Sequence, residues 1–504
     1  SNKHVERNIL LAMMIQSLTV LGGGTSGLVS AIMIKKSFPH INVTLLRSTK
    51  IGIIGVGEGS TEHWKTFLHH SGIDVPTLVR ECGATFKVGI KFTNWNGDGK
   101  HYYHSLSPAY GSLDPYNEMP VTLMRAVAEQ WDPLDTAWKR NTRDSSHAEP
   151  LHDTVAQYHF DTHKLNEFLV KECKNRGIEV LDVDIQDVIL DDTGNVKELV
   201  DDQGTKHASE FFIDCSGFNR VISSKLGQKW VDCSHQLPMN SAIAFPTIAM
   251  KYGWMWKIPT QERYGNGYVF SDNFINETQA YDEVSQHYEK HLGIKDLQIG
   301  KRVKFSAGYV NEFWTKNCMS LGLSGMFVEP LEASSIGSTI QQTFLLLGSL
   351  AYYRKDSSSS LIKTFNTRMN KVATNIIDFI QIHYITKRND TEFWKWCNQN
   401  IELTDFNKDT LESFKKAFAC PSYFAEHQLM FSFMNWTQVM HGLHMFDYDS
   451  CKSFWETNFA STHNDQVAQV VHEGTIDHPG EVVYKHREAL NILKERYLET
   501  SVKL

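Results

Sequence analysis

Gly22-Gly23-Gly24-Thr25-Ser26-Gly27 satisfies G-x-G-x-x-G, and no other stretch limits the fold so strongly. An apolar run at 18–22 precedes it, and residues 26–37 read as a helix that opens on it. Asn42 to Leu46 reads as a second strand, which completes a βαβ-like start. In that setting the motif has a physical basis. Gly22 permits a tight turn, Gly24 lets the backbone approach a pyrophosphate, and Gly27 lets helix and strand pack closely. The helix N-terminus at Thr25 and Ser26 then faces the anion. A structural glycine turn is the bland alternative, and the flanking strand and helix argue against it.

A later piece bears on which dinucleotide is held. Phe212-Ile213-Asp214-Cys215-Ser216-Gly217 is an apolar strand ending in an acid and a glycine. Flavoproteins with two dinucleotide domains often carry such a strand beside the first, with the acid near FAD. Any strand ending in a turn looks the same, so this piece alone leaves both readings open. One position departs from the usual pattern. An acidic residue about 20 residues beyond the glycines normally accepts hydrogen bonds from the ribose. Arg47 and Ser48 stand there, and a guanidinium cannot accept. Either Ser48 or a backbone group holds the ribose, or adenosine is held loosely, which would suit an exchanged flavin.

The chain of 504 residues is long enough for a large core, and no basic block accompanies its net charge of -8. Nucleic acid is therefore not an expected partner. No apolar run reaches the roughly 18 residues that a membrane span needs. Residues 1–16 read as a short helical extension rather than an export signal, because a nucleotide-binding strand begins at once. The eight cysteines form no C-x-x-C pair, so reduced thiols in a cytoplasm are expected, with no metal site.

Further along, 160–175 reads as a helix, and strands are expected at 179–190, 196–200 and 211–214. The second half looks richer in helices, notably 338–353, 363–384 and 479–497. The fold class expected is α/β: an FAD-binding, Rossmann-like fold of the two-dinucleotide-domain, para-hydroxybenzoate-hydroxylase-like kind. Residues 1–400 form the FAD-binding and catalytic part with interleaved substrate-binding segments. Residues 401–504 form a helical part packed on the same core.

Trp254-Met255-Trp256-Lys257-Ile258-Pro259 matches W-x-W-x-I-P. Two tryptophans spaced by one lie on one side of an extended segment and can form a single aromatic wall. This motif resembles the hallmark of flavin-dependent halogenases of the tryptophan-halogenase type. Other segments are similar to that family. Ile54 to Ser60, with Gly57 and Glu58, resembles its flavin loop. Ala84 to Phe92 resembles the segment carrying its catalytic lysine, here Lys87. Gly322-Leu323 through Glu329-Pro330-Leu331-Glu332 resembles the segment carrying its catalytic glutamate, here Glu332. His383-Tyr384 and Arg388 to Trp394 resemble a later block, and Phe433 to Leu443 is a fainter echo. The matches run from about 18 to 396, and the chain is identified as a divergent member.

The resemblance implies a mechanism. Reduced FAD, oxygen and halide give hypohalous acid, which travels to Lys87. The lysine holds it by hydrogen bond or as a haloamine beside an electron-rich indole-like or phenol-like ring. Glu332 steers the oxidant and helps remove the ring proton. The wall of Trp254, Trp256, Ile258 and Pro259 keeps the organic substrate from the flavin. The resemblance places halide beside Ser334 and Ser335, although Ala333 stands where a hydroxyl is more usual. It places substrate beside His104, which matches a stacking histidine, and Leu106, which supplies apolar contact without a ring. A separate flavin reductase supplying FADH2 is implied, and homo-oligomers are common in the family. Two rivals share the nucleotide fold: an FAD-dependent aromatic monooxygenase and a catalytically silent flavin-binding protein.

Overall fold

β1, Ser17–Leu21, and β2, Asn42–Arg47, are joined by α1, Thr25–Ser37. The computed structural model describes residues 14–53, 58–87, 89–105, 121–131, 157–243, 250–262, 264–293, 295, 300, 302–354, 358–426, 429–465 and 486–501. β1 pairs in parallel with β2 on one side and with Phe211–Asp214 on the other. Leu18, Val20 and Phe211 to Ile213 have no exposed surface, as expected of parallel strands covered on both faces. α1 is apolar nearly all round, and Gly27 to Ile34 is continuously buried, so it is a core helix. It packs on the helices Thr162–Asn175 and Ser334–Leu350. The six-stranded sheet runs 314–315, 318–320, 211–214, β1, β2, 179–182. The α/β class read from the sequence is the class observed.

The stretch 179–190, expected as one strand, is two. Glu179–Asp182 joins the main sheet, whereas Ile185–Leu190 joins an antiparallel sheet with Val196–Asp201 and Lys206–Ala208. The chain changes sheet between them. The Val183 N–H donates to the Arg47 carbonyl, and the Asp184 carbonyl accepts from the Asp202 N–H, both at 2.8 Å. A continuous apolar pattern does not show such a change of partner.

Short antiparallel strands, several of them outside the strands read from the sequence, make the remaining sheets. Gly253–Pro259 pairs with Tyr264–Phe270, within a sheet that adds Ser241–Ile243 and Arg302–Lys304. A three-stranded sheet is made from Glu58–Gly59, Tyr158–Phe160 and Thr85–Phe86, and Gly89–Thr93 forms a hairpin with His101–Ser105. The long helices expected later are present as Ser334–Leu350 and Ser359–Ile382. The last is His486–Ser501, and residues 479–485 of its expected start lie outside the described residues. One apolar cluster runs from Leu18 and Leu45 through Ile340, Phe379 and Trp436 to Leu493. All eight cysteines are free. No described helix is long and apolar enough to cross a membrane.

Candidate active site

The glycine turn has the shape its spacing predicts. Gly22 has φ +127°, and a Cβ there would lie 2.1 Å from the Cys215 carbonyl oxygen. A Cβ on Gly27 would lie 2.0 Å from the Gly22 oxygen, so both positions exclude a side chain. Gly24 is different, because a Cβ there would meet nothing within 4 Å. It precedes Thr25 at the start of α1, with no side chain capping the helix. Open space above uncapped helical N–H groups fits a pyrophosphate. The Asn166 amide braces this turn by donating to the Gly23 carbonyl at 2.7 Å.

Three neighbours of that turn are held as follows. The Arg47 stem lies against Gly23, where an added Cβ would be 2.5 Å from the Arg47 Cβ. Ser48 accepts from the Ile51 N–H at 3.2 Å and also bonds Asp184, so its hydroxyl is engaged within its own turn. The Asp214 carboxylate is buried and fully occupied. It accepts from the N–H groups of Ser216, Ile222 and Ser223 and from the hydroxyls of Ser216, Ser223 and Ser324. Asp214 therefore organises its own loop, the turn beside which FAD was expected. Ser26 likewise pairs with Thr339 at 3.0 Å, and half-buried Leu323 follows Gly322, which closes on Ser26. Gly57, the Glu58 side chain and Leu106 lie outside the described residues.

Lys87 leaves the strand Thr85–Phe86 and is 4% exposed. Gly59 and Thr85 both face His159 across the three-stranded sheet, and the Lys87 N–H donates to the Gln157 carbonyl. Side chains alternate along strands, so Gly59, His159, Thr85 and Lys87 share one face. The Lys87 Nζ donates to the Ser60 carbonyl at 2.7 Å. A Cβ on Gly59 would lie 3.6 Å from that Nζ, 3.5 Å from the His159 Cδ2 and 3.4 Å from the Ala333 Cβ. The missing side chain leaves a space bounded by an amine, an imidazole edge and a methyl. Burial pulls Lys87 down to about 8, against the raising influence of Glu332 and Glu62. Burial, followed by Lys87, pulls His159 down to about 3, and its Nδ1 is buried with no hydrogen-bond partner among the described residues.

Glu332 has no exposed side-chain surface. His104 Nδ1 donates to both of its oxygens, at 3.0 and 2.9 Å, and His383 Nε2 donates to Oε1 at 2.8 Å. Burial alone would raise the carboxyl, but the two facing histidines hold it down to about 2. His104, expected as a stacking surface for substrate, is thus tied into the carboxylate. Immediately after Glu332, Ala333 takes a left-handed conformation, φ +52°, and Ser334 begins a 17-residue helix. Ser334 is buried and Ser335 is exposed at that N-terminus, whose N–H groups favour an anion.

The tryptophan wall ties these pieces together. Trp254 is 3% exposed, Trp256 is half-buried, and their rings are 6.1 Å apart. Gly267 on the paired strand leaves the Trp256 ring its space, since a Cβ there would sit 2.0 Å from it. Trp254 Nε1 donates to Glu329 Oε1 at 3.2 Å, and the Tyr384 hydroxyl donates to the same oxygen at 2.5 Å. Glu329 Oε2 is buried without a partner among the described residues, and burial pushes this carboxyl up to about 8. Half-buried Ile258 precedes Pro259, whose carbonyl accepts from Thr85, two residues before Lys87. The wall is thus bonded to both candidate catalytic segments.

Sequence reasoning gave no role to Glu329, His159, His383 or Asn435. Glu329 and His383 stand inside the quoted segments, and Asn435 inside the faint echo, so their positions were visible but their contacts were not. The last helix also reaches the site. His486 stacks on Phe86 at 5.3 Å, and its Nε2 accepts from the Phe86 N–H at 3.2 Å.

Comparison with known proteins gives a consistent result. The family model for tryptophan halogenase matches residues 17–453. The chain is 29% identical over 450 residues to tryptophan 7-halogenase RebH of Lentzea aerocolonigenes, covering 80% of this chain and 83% of that protein. A solved flavin-dependent halogenase from Xanthomonas campestris superposes with a TM-score of 0.75 at 26% identity, covering 91% of this chain and 96% of that one. A tryptophan halogenase from Shewanella frigidimarina superposes with a TM-score of 0.81 at 21% identity, over 96% and 99% of the two chains, and shares the fold.

Proposed function

Because the chain belongs to the tryptophan halogenase family, a family of flavin-dependent enzymes, we propose that it halogenates an electron-rich indole-like or phenol-like ring by means of Lys87 and Glu332. Reduced FAD from a separate flavin reductase, held at the Gly22–Gly27 turn, supplies hypohalous acid from oxygen and halide. The observation that carries the reading is the buried Lys87 Nζ, which faces the side-chain-free position at Gly59 and lies close enough to Glu332 to be influenced by it.

Lys87 either donates a hydrogen bond that polarises the oxidant or attacks its halogen as an amine. In the second case an N–X bond forms, the O–X bond breaks, and the departing hydroxide takes the amine proton as water. The ring carbon then takes the halogen, and the electron pair of the N–X bond returns to nitrogen. The ring proton passes by way of Glu332 to the Lys87 nitrogen and restores the amine; Glu332 Oε2 accepts only from His104 among the described residues and keeps a lone pair for that transfer. The N–H groups of Ser334 and Ser335 are read as the halide site. Trp254, Trp256, Ile258 and Pro259 are read as the wall excluding the ring from the flavin. Residues 1–400 are read as the FAD-binding and catalytic part. Residues 401–504 are read as a helical part on the same core, which supplies Asn435 to the His104 side.

The test combines the protein with FAD, a flavin reductase and NADH. Chloride, bromide and iodide are offered separately against indoles, phenols and anilines, and products are read by mass spectrometry. Halogenated product that falls at least about 1,000-fold in Lys87→Ala, roughly 4 kcal/mol of barrier, is the expected outcome. Product that survives in Lys87→Ala means that free hypohalous acid did the chemistry, and oxygenated product without halogen means a monooxygenase. Either result overturns the reading.

A further inference from the structure

The buried cluster around Glu332 contains one carboxylate and three nitrogen bases, Lys87, His104 and His383. A buried charge must be balanced locally, so one cation is expected, and the hydrogen bonds identify it. His104 Nε2 lies 3.1 Å from Asn435 Nδ2. The Asn435 Oδ1 accepts from the Ser432 N–H at 2.7 Å, which orients the amide and makes Nδ2 a donor. His104 Nε2 therefore accepts, its Nδ1 carries the single proton, and the ring is neutral. His383 is placed differently. Its Nδ1 lies 3.0 Å from the Phe379 carbonyl and its Nε2 lies 2.8 Å from Glu332 Oε1. Both partners accept, so both ring nitrogens must donate. Lys87 has no carboxylate within ion-pair distance among the described residues, and its Nζ is held by a neutral carbonyl.

We propose that His383, as an imidazolium, is the resident counter-ion of Glu332, and that it is a positioning residue which enlarges the share of Lys87 present as neutral amine. This rests on the reading that Lys87 handles the oxidant, and it names how that lysine is kept nucleophilic. One carboxylate balances one cation. With the His383 charge beside Glu332, the upward influence of Glu332 on Lys87 is weakened, and burial outweighs it. The other groups facing the cluster do not restore it. Glu62 faces Lys87 but is exposed and screened by solvent. His159, with His486 beyond it, is held neutral by burial. Tyr102 faces Glu332 and is pushed up by burial, and Glu329 beside Tyr384 is kept protonated by burial.

The sign of the test follows. His383→Gln keeps a neutral donor toward Glu332 but removes the charge, so Lys87 must become easier to protonate. Protein labelled with 13C at lysine Cε is titrated by NMR, with Lys87→Met identifying the resonance. The wild-type midpoint should lie below about 8, and His383→Gln should raise it by about one unit or more, a tenfold change in the amine-to-ammonium ratio. His104→Gln replaces one neutral donor by another and should leave the midpoint within about 0.3 unit. Equal shifts in both variants, or none in His383→Gln, overturn the proposal. Should His383→Gln not fold, a wild-type midpoint above about 9 overturns it alone. The halogenation assay of Lys87→Ala is scored separately. Product surviving there refutes the function of Lys87 while leaving the titration result standing.

Discussion

Replacing Glu329 by glutamine should remove a proton-linked cost of folding. In the folded protein this carboxyl is fully buried and pushed up to about 8 from an ordinary value of 4.5, by burial against the opposing bonds from Tyr384 and Trp254. Below pH 4.5 the carboxyl is protonated in folded and unfolded chains alike, and it costs nothing. Above that point the unfolded chain ionises while the folded one keeps its proton. The folded state then binds one more proton, so stability falls as pH rises, by about 1.4 kcal/mol per unit, until the folded group titrates near 8. The full cost is roughly 5 kcal/mol, with about 3 kcal/mol present at pH 7. Glutamine keeps the oxygen that accepts from Tyr384 and Trp254 and cannot ionise. Its stability advantage over wild type should be near zero at pH 4.5 and grow to the full amount above pH 8.5. For a chain of 504 residues the unfolding entropy is about 1 kcal/mol per degree, so Tm should rise by roughly 5 °C at pH 8.5. Scanning calorimetry of both proteins from pH 4.5 to 9 measures this. A Tm difference that does not change with pH would refute the reasoning.

Two further substitutions probe the site. Gly59→Val adds carbons to the space beside Lys87 Nζ, His159 and Ala333 at a strand position that tolerates a β-branched residue. With FAD supplied at saturation, halogenated product should fall about 100-fold, near 3 kcal/mol, and product within twofold of wild type would show that the space is not used. Arg47→Glu keeps the stem against Gly23 and supplies the missing acceptor, so the Kd for FAD, followed by flavin fluorescence, should tighten about tenfold. An unchanged Kd would mean that the ribose is held elsewhere.

The βαβ start was legible because its signals are local. Apolar runs, glycine spacing and the helix lie within 30 residues, and β1, α1 and β2 fall within a residue or two of their expected places. Lys87 and Glu332 were named through resemblance, since neither spacing nor composition separates a buried lysine from an exposed one. What surrounds Glu332 was not legible. His104 comes from 228 positions before Glu332 and His383 from 51 after it, with Asn435 reaching His104 from 331 positions on, and no periodicity encodes such a meeting. Asp214 shows the same limit from the other side. An acid closing a strand looks alike whether it faces a cofactor or caps its own loop, and only the six donors around it decide. The split at Val183 and Asp184 was hidden because both halves of the stretch are good strands, and only their partners differ.

The bond between Phe86 and His486 spans 400 positions of the chain. On a ribosome adding 5–20 residues each second, the lysine's strand would wait about 20–80 s for this last partner. The glycine turn is complete earlier, since the partners that close on Gly22 and Ser26, namely Cys215, Gly322 and Thr339, all precede His486. Assembly is thus ordered in time: the strand that carries Lys87 is latched only when the helix His486–Ser501 docks. A chain interrupted before that event would hold Lys87 beside a strand still missing its His486 acceptor.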